Sequence, residues 1–115
     1  MERLNSIAHE LPLPRAIRES YQQLKACVNG LVDEINTALG SALYLSVQLA
    51  GRVPGSRVVL CTDGCSDVGL GIIEDSNYES EMMDPNFYPF VGDTAKRLGV
   101  VVNVVSFRGG FLCLV

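Results

Sequence analysis

The chain has 115 residues, 48% of them hydrophobic and 19% charged, which fits one compact domain with a modest core and excludes a disordered segment. Nine Lys and Arg against thirteen Asp and Glu give a net charge of -4. With no basic run to neutralise a row of phosphates, nucleic acid is not an expected partner.

Residues 1–13 mix Glu2, Arg3, His9 and Glu10 with one proline, Pro12, and read as an N-terminal tail rather than a secretory signal. From Pro14 onward, Ile17, Tyr21, Leu24, Val28, Leu31, Val32 and Ile35 recur at spacings of three and four. That periodicity predicts an amphipathic helix over about 15–29 with one buried face. Asn36 or Thr37 is suited to cap a second helix, running to about Ala50 and rich enough in Leu, Val and Ala to lie against a sheet. Residues 51–56 hold two glycines and a proline and read as a loop. Residues 57–62, Arg-Val-Val-Leu-Cys-Thr, form a nearly unbroken apolar run, as expected of a strand covered on both faces.

A polar, glycine-punctuated loop follows from Asp63 through Gly71 and continues into the acidic residues 74–84. This is long for a connection. Residues 85–98 place Tyr88, Val91, Ala95 and Leu98 on one helical face, with Lys96 and Arg97 in the last turn and Gly99 as a C-cap. A second buried strand is predicted over 100–105. Helix, strand, helix, strand in this order predicts a parallel α/β unit. Apolar stretches all break well short of bilayer thickness, so no membrane insertion and a cytoplasmic location are expected.

Of the four cysteines, Cys27, Cys61, Cys65 and Cys113, no two form a Cys-x-x-Cys pair. They read as buried or free thiols, Cys61 as a small buried hydrophobe within its strand.

In open α/β sheets, ligands gather beyond the carboxyl ends of the strands. Asp63 is expected at that edge, where a carboxylate suits a hard cation such as Mg2+ or simply starts an Asp-Gly turn. The string Val58-Val59-Leu60-Cys61-Thr62-Asp63-Gly64 resembles the fourth-strand signature of von Willebrand factor A domains. Thr37-Ala38-Leu39-Gly40-Ser41-Ala42-Leu43 resembles the Thr-x-x-Gly-x-Ala-Leu segment that precedes it in that family. With Asp67-Val68-Gly69-Leu70-Gly71 and residues 87–106, the similarity is nearest to Sec23/Sec24-like A domains, including those attached to circularly permuted Ras-like GTPases.

The resemblance implies a Rossmann-like parallel sheet flanked by helices, here partial, over residues 14–115. The family's first strand and its neighbours have no counterpart. It also implies a metal-ion-dependent adhesion site in which Thr37 and Asp63 are two of the ligands, while the Asp-x-Ser-x-Ser motif that supplies the others is absent. Mg2+ held by that pair alone would stay mostly hydrated and weakly bound.

The expected function is thus a protein-protein interaction module without enzymatic activity, taking an acidic residue of a protein partner at the cation. The alternatives are a Sec23/Sec24-like structural trunk piece without metal, or a small α/β enzyme or nucleotide-binding unit. The edge of 58–62 facing the missing strand is expected to be open, covered by residues 1–13, by 111–115, by a second copy or by another partner, or else the chain is a fragment. Gly69-Leu70-Gly71 lacks the Lys and Ser or Thr of a P-loop and the third glycine of a dinucleotide fingerprint. His9 has no local acid or nucleophile and reads as a surface residue, and Tyr88 and Phe90 read as core.

Overall fold

A computed structural model describes residues 1–13, 15–32, 36–64, 66, 68–73, 84–108 and 111–114, with backbone alone at 107, 108 and 111–114. The chain is an α/β fold of helices α1 (Glu2–Glu10), α2 (Ile17–Asn29), α3 (Leu39–Ala50) and α4 (Phe87–Leu98). Its strands are β1 (Arg57–Thr62), β2 (Val101–Arg108) and β3 (Phe111–Leu114).

The strands form one sheet in the order β1-β2-β3. β1 and β2 run parallel, from Arg57 opposite Val101 to Thr62 opposite Ser106. Parallel neighbours need a crossover, and α4 supplies it. The chain leaves α4 through Gly99 in the left-handed region at φ 69°. There the Gly99 amide donates to Lys96 O at 3.2 Å and the Val100 amide to Ala95 O at 2.9 Å. These bonds satisfy carbonyls of the last turn and aim the backbone straight into β2.

α3 and α4 lie side by side on one face of the sheet. Leu43, Tyr44 and Val47 from α3 meet Phe87, Val91 and Ala95 from α4, over Val58, Leu60 and Val102 of the strands. The Tyr44 and Phe90 rings stack at 6.0 Å. α1 packs against α3 in turn. Arg52 Nη1 donates to the carbonyls of Ala8 at 2.7 Å and Leu11 at 2.5 Å, and the Tyr44 hydroxyl donates to Asn5 Oδ1 at 2.9 Å. The segment read as a tail is therefore a docked helix, its C-terminal carbonyls met by a guanidinium, which a helix C-terminus favours.

Four further expectations are revised. β1 is covered on one face only: its residues alternate between exposed and half-buried, and Val59 on the outer face is 65% exposed. Cys61 shares that outer face and is exposed, as is Cys27, and both are free thiols. α2 forms nearly where its periodicity predicts, yet Ile17, Tyr21, Leu24 and Val28 stay exposed along its apolar stripe. The second strand runs on to Arg108 and pairs antiparallel with β3, from Val105 opposite Leu114 to Arg108 opposite Phe111. The C-terminal segment thus lies beside β2 and leaves the outer edge of β1 without a neighbour among the described residues. Also among the described residues, no helix is long and apolar enough to cross a membrane.

Candidate functional site at the end of the first strand

β1 ends at Thr62, whose Oγ1 accepts the amide of Gly64 at 3.0 Å. Gly64 takes φ 96°, so the backbone turns sharply and presents Asp63, an exposed residue, at the carboxyl end of the strand. A hydroxyl accepting the amide two residues on is a turn device that Thr offers readily. The turn anticipated for Asp-Gly thus forms, and Asp63 stands just past the strand end.

Beyond the turn the loop closes on itself. The Ser66 amide donates to Ile73 O at 3.2 Å and the Ile73 amide to Ser66 O at 2.7 Å. Between these two, the Val68 amide donates to Thr37 O at 3.3 Å and the Leu70 amide to Ser41 Oγ at 3.2 Å. These bonds lay the loop across the N-terminus of α3, and they tie the segment that carries Thr37 to the one that follows Asp63.

The cap of α3 is Ala38 and carries no side-chain hydrogen bond, where Asn36 or Thr37 was expected. The neighbouring Ser41 hydroxyl turns outward to the loop instead. Thr37 is exposed, and Thr37 and Asp63 each take part in further interactions.

Glycine makes this contact possible. A Cβ at Gly40 would run into the Leu70 carbonyl and come within 2.8 Å of Phe87 Cε1. One at Gly69, where φ is 82°, would stand 2.7 Å from Ser41 Oγ. One at Gly71, where φ is 65°, would strike the Phe87 ring. Gly69-Leu70-Gly71 therefore spends its conformational freedom on packing against α3 and α4.

The loop is pinned from below by Tyr88, whose hydroxyl donates to Gly71 O at 2.6 Å. Burial raises the Tyr88 phenol pKa above its usual value. The nearby Ser66 hydroxyl opposes this in part, although the contact falls short of full hydrogen-bond geometry, and Ser66 Oγ is buried without a hydrogen-bond partner. Sequence reading missed Ser41, Ser66 and Tyr88 as holders of the loop. The available signal was a tyrosine hydroxyl on an otherwise apolar helix face, which when buried must find an acceptor.

As a cation site the arrangement is sparse. Among the described residues, no three His, Cys, Asp or Glu side chains come together. One hydroxyl and one carboxylate suit a hard divalent ion that keeps most of its water, and fit no softer metal. Cys65 and Asp67 lie outside the described residues.

A mixed sheet with a parallel β1–β2 pair, packed under α3 and α4, defines the class as α/β. No family model matches the chain, and no solved structure does. The chain is 36% identical over 91 residues to Circularly permutated Ras protein 1 of Dictyostelium discoideum, a match covering 79% of this chain and 10% of that protein. The chain thus spans about one tenth of the relative's length. The similarity agrees with the part of the sequence resemblance that pointed to circularly permuted Ras-like proteins, whereas the A-domain assignment gains no family match. It also corrects the expectation of a chain without enzymatic activity. Ras proteins hydrolyse GTP, so the similarity is to a protein named for a class of enzymes.

Proposed function

We propose that residues 14–115 are a partial von Willebrand A-type interaction module belonging to a Ras-like protein, working through an incomplete divalent-cation site at Thr37 and Asp63. The observation that carries this reading is the Val68 to Thr37 backbone bond, because it ties together the two segments bearing the donors. In this reading the Asp63 carboxylate and the Thr37 hydroxyl hold a hydrated Mg2+. The ion supplies positive charge that an acidic side chain of a protein partner neutralises. Mg2+ binds carboxylates while keeping several waters, so weak affinity is the expected signature.

Calorimetric titration with Mg2+ and Mn2+ tests it. Weak binding to the wild type, lost in Asp63→Ala and reduced in Thr37→Ala, is the expected result. Equal heats from wild type and Asp63→Ala would overturn it.

A second reading, a contribution to nucleotide binding, is favoured by the Ras-like relative. It is tested by adding GTP with Mg2+ to the same calorimeter cell and assaying phosphate release. Saturable GTP binding that survives Asp63→Ala would favour this reading over the first.

A further inference from the structure

α2 stands apart from the body of the chain: among the described residues, no helix or strand packs to any extent on it. An isolated helix of 13 residues is marginal in water, so α2 lacks the surface that would support it. Its apolar side is Ile17, Tyr21, Leu24 and Val28, carried on by Leu31 just past the helix end. All five are exposed, Ile17 by 72% and Val28 by 65%.

Their spacing sets the shape of the surface that fits. The five follow at intervals of four, three, four and three. This is the heptad alternation of a coiled-coil seam, with Ile17, Leu24 and Leu31 at d and Tyr21 and Val28 at a. The four helical members lie within roughly 60° of arc. A helix packed on a sheet buries an apolar face of about 100° or more, and one lying in a bilayer surface buries a whole side. The narrower a and d stripe suits one other helix. Charge then sets what that helix carries. Arg18 and Lys25, both exposed, hold the e positions beside the seam. On the other flank, Arg15 lines a hollow of about 440 Å3 with Leu13, Ser20 and Leu24. Glu19, the one acid of α2, falls at f on the far side.

We infer that the α2 seam takes up one helix of a partner protein, which offers apolar residues along its own heptad seam and Asp or Glu at the flanking positions. This does not rest on the cation site or on the Ras-like relation. A second copy of α2 answers the charges less well. Paired antiparallel, two such helices set e against e, so that Arg18 faces Lys25 and like charges repel across the seam. Paired parallel, they set e against g and leave both cations opposite the neutral side of Ser20 and Cys27. An acidic helix meets Arg18 and Lys25 together while its apolar seam covers the stripe.

The test is titration of the whole chain into a labelled synthetic helix of about three heptads, with Ile at a, Leu at d and Glu at e and g, read by fluorescence anisotropy. A twin peptide carries Lys in place of each Glu. The Glu helix is expected to bind, and Leu24→Asp to weaken it more than about tenfold. Arg18→Glu combined with Lys25→Glu should weaken the Glu helix about tenfold and hand the advantage to the Lys helix. On the unmutated chain, amide exchange should slow along α2 when the Glu helix binds and stay as it was in α3 and α4. That readout stands even if a variant fails to fold. No binding of the Glu helix, equal binding of the two peptides, or binding indifferent to Leu24→Asp would each overturn the inference. Sedimentation of the free chain, alone and with phosphatidylserine vesicles, covers the other occupants. A dimer or a vesicle complex that Leu24→Asp abolishes would overturn it as well.

Discussion

Gly99 and Gly71 share a left-handed backbone but not their surroundings. At Gly99 a Cβ would meet nothing within 4 Å, so Gly99→Ala should lose only the strain of an L-residue at φ 69°, about 1 kcal/mol. At Gly71 the same strain is joined by collision with the Phe87 ring. The expected cost of Gly71→Ala is roughly 2 to 4 kcal/mol, and urea unfolding would rank the two. Gly40→Ala tests the close approach without the backbone angle. Helix propensity alone would make it stabilising by up to about 1 kcal/mol, yet the Leu70 carbonyl stands in the way and a net loss is expected. Tyr88 gives a prediction in pH. Its phenol pKa is raised above the ordinary 10.0, chiefly by burial, so folding favours the neutral form. That contribution is whole below pH 10 and is lost as pH rises through the folded value. Wild-type stability should fall more steeply above pH 10 than that of Tyr88→Phe. Parallel slopes would show that the phenol is not held as described.

The elements differ in how much of their apolar surface is covered. Val47 is fully buried at the centre of α3, and Val47→Ala should cost about 2 kcal/mol through lost contacts and a cavity. Arg52 bridges two elements more than 40 positions apart by its two bonds to α1 carbonyls. Arg52→Ala should release the C-terminal half of α1, seen as faster amide exchange there while α3 and α4 keep their protection. An unchanged α1 would mean that Leu4 and Asn5 hold it alone. The helix periods of α2 and α4, the β-branched run of β1 and the C-cap at Gly99 were all legible in the sequence, because each is a local property. What covered each face was not legible. The spacing of Ile17, Tyr21, Leu24 and Val28 says that one side of α2 is apolar, and nothing in it says that the body of the chain leaves that side bare. The same limit explains β1, whose unbroken apolar run implied two covered faces where one is bare. It explains residues 1–13 as well, whose docking depends on an arginine far along the chain.

For the whole molecule, the sequence placed Asp63 just past the end of β1, where the structure has it, but not the construction of the loop beyond. Asp63 was legible because a strand end followed by Asp-Gly is a local pattern. The bonds from Val68 to Thr37, Leu70 to Ser41 and Tyr88 to Gly71 depend on three elements converging, which no local pattern encodes.

The placement of the tyrosines gives the protein an optical reporter of its own. The chain has four tyrosines and no tryptophan, so no indole emission masks the phenols. Tyr44 donates to Asn5 on α1, and Tyr88 donates to Gly71 in the loop. Undocking of the first helix and opening of the loop therefore each change the setting of a different phenol. Ultraviolet difference spectra of Tyr44→Phe and Tyr88→Phe would separate the two events without any attached label.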